Sequence, residues 1–279
     1  MIGILLTLLG TLGQEIASAL GKQSVAAREL HLYTVASLHL LAGVALWVIL
    51  AAIRPSAFIF SAASLPTFLT RLILEIVLAH LGILALVRAD RSTFGFFRAL
   101  TIPLLAGIDL ILGYPLSFWQ IIGLIVIVVT LALLWGGPHL QRAGRGLVLT
   151  TAILAALTLS LYKYNITHFN SVAGEQLPIH LGLLIYFWIL ARYQAKANLW
   201  QAIRQPSALS QTLAQGIGGV IESFAYQFAP ASVIVGAKRA AAVLWSTVAG
   251  RLMFKEENFR QKLGWVIILT LAILLLAIG

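Results

Sequence analysis

Six residues of one stretch, Gln211, Gln215, Gly218, Gly219, Glu222 and Tyr226, recur at spacings of three or four. At helical pitch that spacing lays them along one stripe. A carboxylate flanked by an amide and a phenol can hold a proton or a substrate ammonium, with Glu222 as the ionic partner and Gln215 and Tyr226 as hydrogen-bonding groups. The plainer reading gives the glycines to close helix packing and Glu222 to a bond with a neighbouring helix.

Further charges stand inside apolar runs. "SVIVGAKRAAAVLW" (Ser232 to Trp245) carries Lys238 beside Arg239. Adjacent helical residues point about 100° apart, so the two cations cannot share a direction. One can snorkel to the headgroups while the other, read as Lys238, enters the interior to meet a carboxylate or phosphate. Arg98 occupies the matching place in the first half of the chain. Gln14 and Glu15 are neighbours, so at least one faces inward, whereas Glu75 follows Arg71 by four residues and reads as a self-neutralising structural pair. His80 reads as a packed or hydrogen-bonded histidine, Asp109 as reaching the interface, and Trp245 as a mid-span ring that packs in the core or lines a pocket.

These residues need elements to hold them, and the composition says which. The chain has 60% hydrophobic and 10% charged residues with a mean hydropathy of +0.96, against about 25% charged in soluble domains. Too few polar residues remain to cover a water-facing surface. Runs such as Ile121 to Trp135 are apolar on every helical face, which suits hydrocarbon as the solvent. The reading is an all-α polytopic membrane protein. Ten spans are expected, near 2–20, 32–53, 68–87, 94–113, 117–135, 146–162, 177–191, 209–228, 231–253 and 263–278. The first is expected to be a retained helix, because no basic segment precedes it and Glu15 interrupts its apolar run.

The halves echo each other at an offset of about 140 residues: Lys22 with Lys163, Ser92 with Ser232, Arg98 with Lys238 and Gly123 with Gly264. A five-span repeat has an odd number of crossings, so its second copy inserts upside down. Two inverted five-helix repeats follow, 1–140 and 141–279, with a substrate site near the midplane where they meet.

Loops after the odd-numbered spans hold Lys22, Arg28, Arg88, Arg91, Arg142, Arg145, Arg192, Lys196, Arg204, Lys255, Arg260 and Lys262. The opposite side holds Arg54, Arg71 and Lys163. The positive-inside rule then puts both termini outside. Trp47, Trp119, Trp135, Trp188, Trp200 and Trp265 fall near span ends, where an aromatic belt is expected, and Tyr162, Lys163 and Tyr164 read as an interface anchor.

The last fifty residues, "APASVIVGAKRAAAVLWSTVAGRLMFKEENFRQKLGWVIILTLAILLLAIG", resemble the closing helices of EamA-type transporters of the drug/metabolite transporter superfamily. The shared pattern is a small-Pro-x-Ser entry, a Lys-Arg pair, a small-residue helix, "FKE", and a Lys and Gly opening a final apolar helix. Pro103, Gly113, Leu116, Ser117, Gln120 and Gly123 repeat it more loosely in the first half. Tyr114 departs from it where an acid is usual, while Glu256 keeps it. The resemblance covers about a third of the chain. It implies ten helices in two inverted repeats, movement of a small solute, and termini in the cytoplasm, opposite to the loop charges.

No enzyme signature of the zinc-protease, nucleophile-elbow or phosphate-loop kind is present, and no carboxylate cluster has metal-ligand spacing. Zero cysteines exclude thiolate metal sites and disulfides. The net charge of +10 is spread in ones and twos between spans rather than in a patch interleaved with aromatics, which fits anionic lipid and not nucleic acid. The expectation is a non-enzymatic secondary transporter or exporter of a small polar or amphipathic metabolite in a bacterial-type inner membrane. It would work by alternating access, with proton coupling open and neither cofactor nor metal. The alternatives are a non-transporting membrane scaffold or binding protein and a lipid-linked substrate translocase.

Overall fold

The computed structural model describes residues 1–26, 31–88, 98–135, 144–194, 198–254 and 259–279. Among these, all regular elements are helical. They are α1 (Ile2–Ala26), α2 (Leu32–Ile53), two 3₁₀ turns (Pro55–Ala57 and Ala62–Ser64), α3 (Leu65–Arg88), α4 (Thr101–Ile111), α5 (Phe118–Trp135), α6 (Arg145–His168), α7 (Val172–Tyr193), the short α8 (Leu199–Ile203), α9 (Pro206–Ala225), α10 (Ala231–Phe254) and α11 (Phe259–Ile278). Among the described residues, five segments are long and apolar enough to cross a membrane: Ile2–Leu20, Leu32–Ile53, Pro55–Ala85, Arg145–His168 and Val172–Tyr193. Thr101–Ile111, Phe118–Leu133 and Gly264–Ile278 are shorter and also apolar. This composition fits a multi-pass membrane protein.

Each expected span overlaps a helix; the second coincides with α2 at both ends, and others are shifted. The sixth continues to His168 instead of stopping at 162, because Tyr162 and Lys163 are buried and spend their polar tips inside the protein. The seventh starts at Val172 rather than 177, where the Ser171 Oγ accepts from the Gly174 N–H at 3.0 Å and caps it. The eighth runs from Pro206 to Ala225 rather than 209 to 228, proline occupying the first turn, where a missing N–H is harmless. The stretch 94–97 expected to open the fourth span lies outside the described residues. So do Arg28, Arg91, Ser92, Arg142, Lys196, Lys255 and Glu256.

The helices are apolar outside and polar inside. On α9, Leu209, Leu213 and Ile217 are exposed, while Gln211, Thr212 and Glu222 are buried. On α3, Leu69, Ile73 and Val77 face out and Arg71 is buried. Water as solvent would reward the opposite arrangement. A core of Ile102, Leu105, Ile127, Leu131, Ile234 and Leu269 fills the space where α4, α5, α10 and α11 meet.

Packing partners come in matched sets. α1 lies along α9 and touches α10, and correspondingly α6 lies along α3 and touches α4. The contact of α2 with α9 is matched by that of α7 with α3, and α10 with α11 by α4 with α5. The pairs α2 with α7, α4 with α10 and α5 with α11 correspond to themselves. α1 and α9 approach closely: a Cβ at Gly10 would sit 2.7 Å from the Gly218 carbonyl oxygen and 2.9 Å from the Glu222 Cβ. Only glycine permits that spacing.

One end of the bundle gathers the start of α1, the turns between α2 and α3, and the junctions α4–α5, α6–α7 and α9–α10. Polar contacts tie it shut. The Ser171 N–H donates to the Ile59 carbonyl at 2.9 Å, and the Ser61 N–H donates to Asn170 Oδ1 at 2.9 Å. Gly113 turns the α4–α5 junction at φ 79°.

Candidate functional site

A cavity of about 250 Å³ lies between α1, α2, α9 and α10. Thr11, Gln14, Glu15 and Ser18 line it from α1, His39 from α2, Gln215 from α9, and Lys238, Arg239 and Ala242 from α10, with Arg98 reaching it from just ahead of α4. The cavity extends toward the end of the bundle opposite the tied one, where Ser18 and Arg98 are exposed.

At its floor stands an ion pair. The Lys238 ammonium donates to Glu222 Oε2 at 2.8 Å and lies 2.8 Å from Oε1. The Gln14 side-chain amide donates to the same carboxylate. Glu222 is 6% exposed and the Lys238 side chain 25%, so the carboxylate is sealed behind a cation that reaches the open space. The helix-forming apolar sequence explains the placement: Glu222 lies on the one face of α9 that the glycines press against α1.

Of the residues the sequence nominated, Gln14, Glu15, Arg98, Gln215 and Lys238 meet at the cavity, and Glu222 bonds to two of them. Tyr226 does not line it. Its ring packs against Tyr162 at 5.3 Å, and its backbone carbonyl accepts from the Lys163 ammonium at 2.6 Å. Trp245 is outside the lining too, its indole N–H donating to the Leu8 carbonyl at 3.1 Å.

Glu75 belongs to a second, drier cluster among α3, α6 and α7. It sits 3.6 Å from Arg71, but Arg71 makes its close pair with Glu175 at 2.8 Å. Asn165 and Asn170 donate to the two Glu175 oxygens at 2.9 and 2.5 Å, and Arg71 also donates to Gln176 at 3.1 Å. The Arg71 guanidinium stacks over Tyr162 at 4.4 Å. Reading Arg71 and Glu75 as a self-sufficient pair therefore missed the main partner, which arrives from another helix. Glu175 is 0% exposed. Its signal was present in the sequence: a capping serine, Ser171, followed by an acid in the first turn of a helix.

Three other expectations change. Asp109 does not reach the interface but is 0% exposed, its Oδ2 accepting from the Ser232 N–H at 2.7 Å. The start of α10 leaves N–H groups without intrahelical partners, and this carboxylate answers one of them. Lys163 is not an interface anchor, since it is buried and covers a carbonyl at the end of α9. Trp47 is 0% exposed rather than part of a belt, packing on Phe224 at 5.5 Å, whereas Trp119, Trp188 and Trp200 are exposed. His80 accepts or donates to the Tyr186 hydroxyl at 2.8 Å, as a packed histidine should.

Sequence reasoning overlooked His39 and did not carry Arg239 forward to a site. His39 lies among apolar neighbours that hid it, whereas Arg239, expected to snorkel to the headgroups while Lys238 turned inward, lines the cavity together with Lys238. His39 Nε2 contacts the Gln211 amide nitrogen at 2.6 Å. Among the described residues no three His, Cys, Asp or Glu stand close enough to hold a metal ion. No protein-family model matches the chain, and no curated protein matches it.

Proposed function

We propose that this protein is a secondary transporter or exporter of a small polar or amphipathic metabolite, working by alternating access. The observation that carries the reading is the charged cavity held between α1 and α2 of the first half and α9 and α10 of the second. Ionisable groups in lipid cost about 2.5–3.5 kcal/mol each on insertion scales, so a cluster of them around open space needs a function to offset it. The cavity extends toward one end of the bundle, and hydrogen bonds tie the other end. That is the asymmetry of a carrier resting in one of its two states.

The proposal includes ten membrane spans in two inverted repeats, 1–140 and 141–279. The matched packing of α1–α5 with α6, α7, α9, α10 and α11 supports it. The likeness of the last fifty residues to EamA-type transporters points the same way, and the location included in the proposal is a bacterial-type inner membrane. In a carrier of this kind Glu222 is the coupling group: whatever separates it from Lys238, a proton or a solute, loosens the contact of α9 with α10 and α1.

Flux of a labelled metabolite library into proteoliposomes, with and without an imposed proton gradient, tests the reading. Uptake above protein-free vesicles, reduced in Glu222→Gln, is expected. If no solute moves in either condition, the carrier reading falls. A second reading, a non-transporting scaffold, is favoured by the Arg71–Glu175 cluster, whose charges are paired and dry. A scaffold would leave the α9–α10 cavity inaccessible to aqueous reagents.

A further inference from the structure

A second cavity, of about 220 Å³, lies at the tied end of the bundle. Its floor is hydrocarbon: Leu50 from α2, Phe58 from the turn after it, Val172 and Ala173 from the start of α7, and Phe224 from α9. Arg54 stands at the rim, exposed, one residue past the end of α2. Among the described residues its guanidinium makes neither an ion pair nor a hydrogen bond. The turns gathered at this end, 54–64, 112–117, 169–171 and 226–230, all lie within the described residues. Glu175, the acid one turn into α7, is 0% exposed and committed to Arg71, Asn165 and Asn170. The counter-ion of Arg54 therefore comes from outside the protein.

Depth says what lies outside. α2 has 22 residues, about 33 Å at 1.5 Å per residue, against about 30 Å of hydrocarbon in a bilayer. Crossing at that length delivers Arg54 to the headgroups and leaves Leu50, one turn back, among acyl chains. Leu50 is exposed, as are Ile49 and Ile53 beside it, so the cavity opens on the hydrocarbon-facing side of α2. Water is a poor occupant, because it needs several polar partners and the side chains of this floor offer none.

We propose that this cavity holds a phospholipid of net negative charge, its phosphate on Arg54 and a stretch of acyl chain against Phe58, Val172 and Phe224. The acyl chain supplies contacts that the lining of an empty void would forfeit. The guanidinium fork fits two phosphate oxygens, and a zwitterionic headgroup, which carries its own cation, gains less from it. The site borders the bonds that close this end, where the Ile59 N–H donates to Ser171 Oγ at 2.9 Å, and a bound lipid braces the ends of α2, α7 and α9 together. The site requires only that the helices span a bilayer, whether or not any solute moves.

The test uses the purified full-length protein in detergent micelles, titrated with phosphatidylglycerol, phosphatidylcholine or glycerol phosphate. Native mass spectrometry counts bound lipid, and thermal unfolding reads stabilisation. Phosphatidylglycerol is expected to bind more tightly than phosphatidylcholine and to raise the unfolding midpoint. Other basic residues also attract anionic lipid, so the difference made by Arg54→Gln isolates this site. That variant, at an exposed position, should cut the preference for phosphatidylglycerol by about fivefold, the effect of one charge at the headgroups. Ala57→Phe, which fills the cavity from another exposed position, should weaken binding of both lipids. A preference unchanged in Arg54→Gln, lipid binding unchanged in Ala57→Phe, or glycerol phosphate binding as tightly as the whole lipid would overturn the inference, the last by making this an aqueous anion site.

Discussion

Replacing Lys238 by methionine should destabilise the protein more than removing Lys238 and the charge of Glu222 together. Lys238→Met leaves the Glu222 carboxylate 6% exposed with Gln14 as its remaining bonded side chain. Breaking one partner of a fully buried ion pair costs about 3–5 kcal/mol. The Lys238 side chain is 25% exposed, so cavity water screens part of the interaction, and a loss of about 2–3 kcal/mol is expected. Glu222→Gln alone strands the ammonium instead, at a smaller cost because water reaches it. In the double variant Glu222→Gln with Lys238→Met, no charge is stranded, and Gln14 can still bond the amide. The pair should then show a coupling energy of about 2 kcal/mol, well outside the additivity error of about 0.5 kcal/mol. Reversible unfolding in a detergent mixture, monitored by circular dichroism for the four proteins of the cycle, supplies the numbers. Additive single effects would refute the claim that Glu222 and Lys238 form one buried pair.

Gly10→Val should lower the unfolding midpoint sharply, since even its Cβ would meet the Gly218 carbonyl at 2.7 Å, whereas Gly219→Ala, with nothing within 4 Å of its Cβ, should be close to neutral. Asp109→Ala should cost about 1–2 kcal/mol by uncapping α10, and Asp109→Asn clearly less because an acceptor oxygen remains, both read by the same unfolding assay. Because the chain contains no cysteine, single cysteines report solvent access directly. Ser18→Cys, at the exposed rim of the cavity, should react with a charged methanethiosulfonate reagent in intact proteoliposomes, and Thr7→Cys, at a 0% exposed position on the same helix, should not. Equal labelling of the two would count against a water-filled cavity beside α1.

The site was legible where polarity conflicts with its surroundings. Gln14, Glu15, Arg98, Gln215, Glu222 and Lys238 stood out because each interrupts an apolar helix, and physics leaves such residues few places to point. The reverse case misled. Asp109 and Lys163 lie near helix ends, where sequence alone cannot distinguish a group reaching water from one satisfying a neighbouring helix terminus. Glu175 was hidden by a span boundary placed five residues late, and His39 by neighbours that offered no periodic contrast. Arg239 was given to the headgroups because adjacent helical residues diverge, yet it lines the cavity beside Lys238.

By itself, then, the sequence determined the helical class and the hydrocarbon-facing exterior, because both follow from a scarcity of polar groups summed over the whole chain. It also turned some of the charges inward, Glu222 and Lys238 among them, though not Asp109, Lys163 or Arg239. Only the tertiary structure decided who pairs with whom: that Arg71 turns to Glu175 rather than to Glu75, and that Glu222 closes on Lys238. Those choices are made between helices far apart along the chain, by angstrom-scale packing such as the approach of Gly10 to Gly218, and no local pattern encodes a distance of that kind.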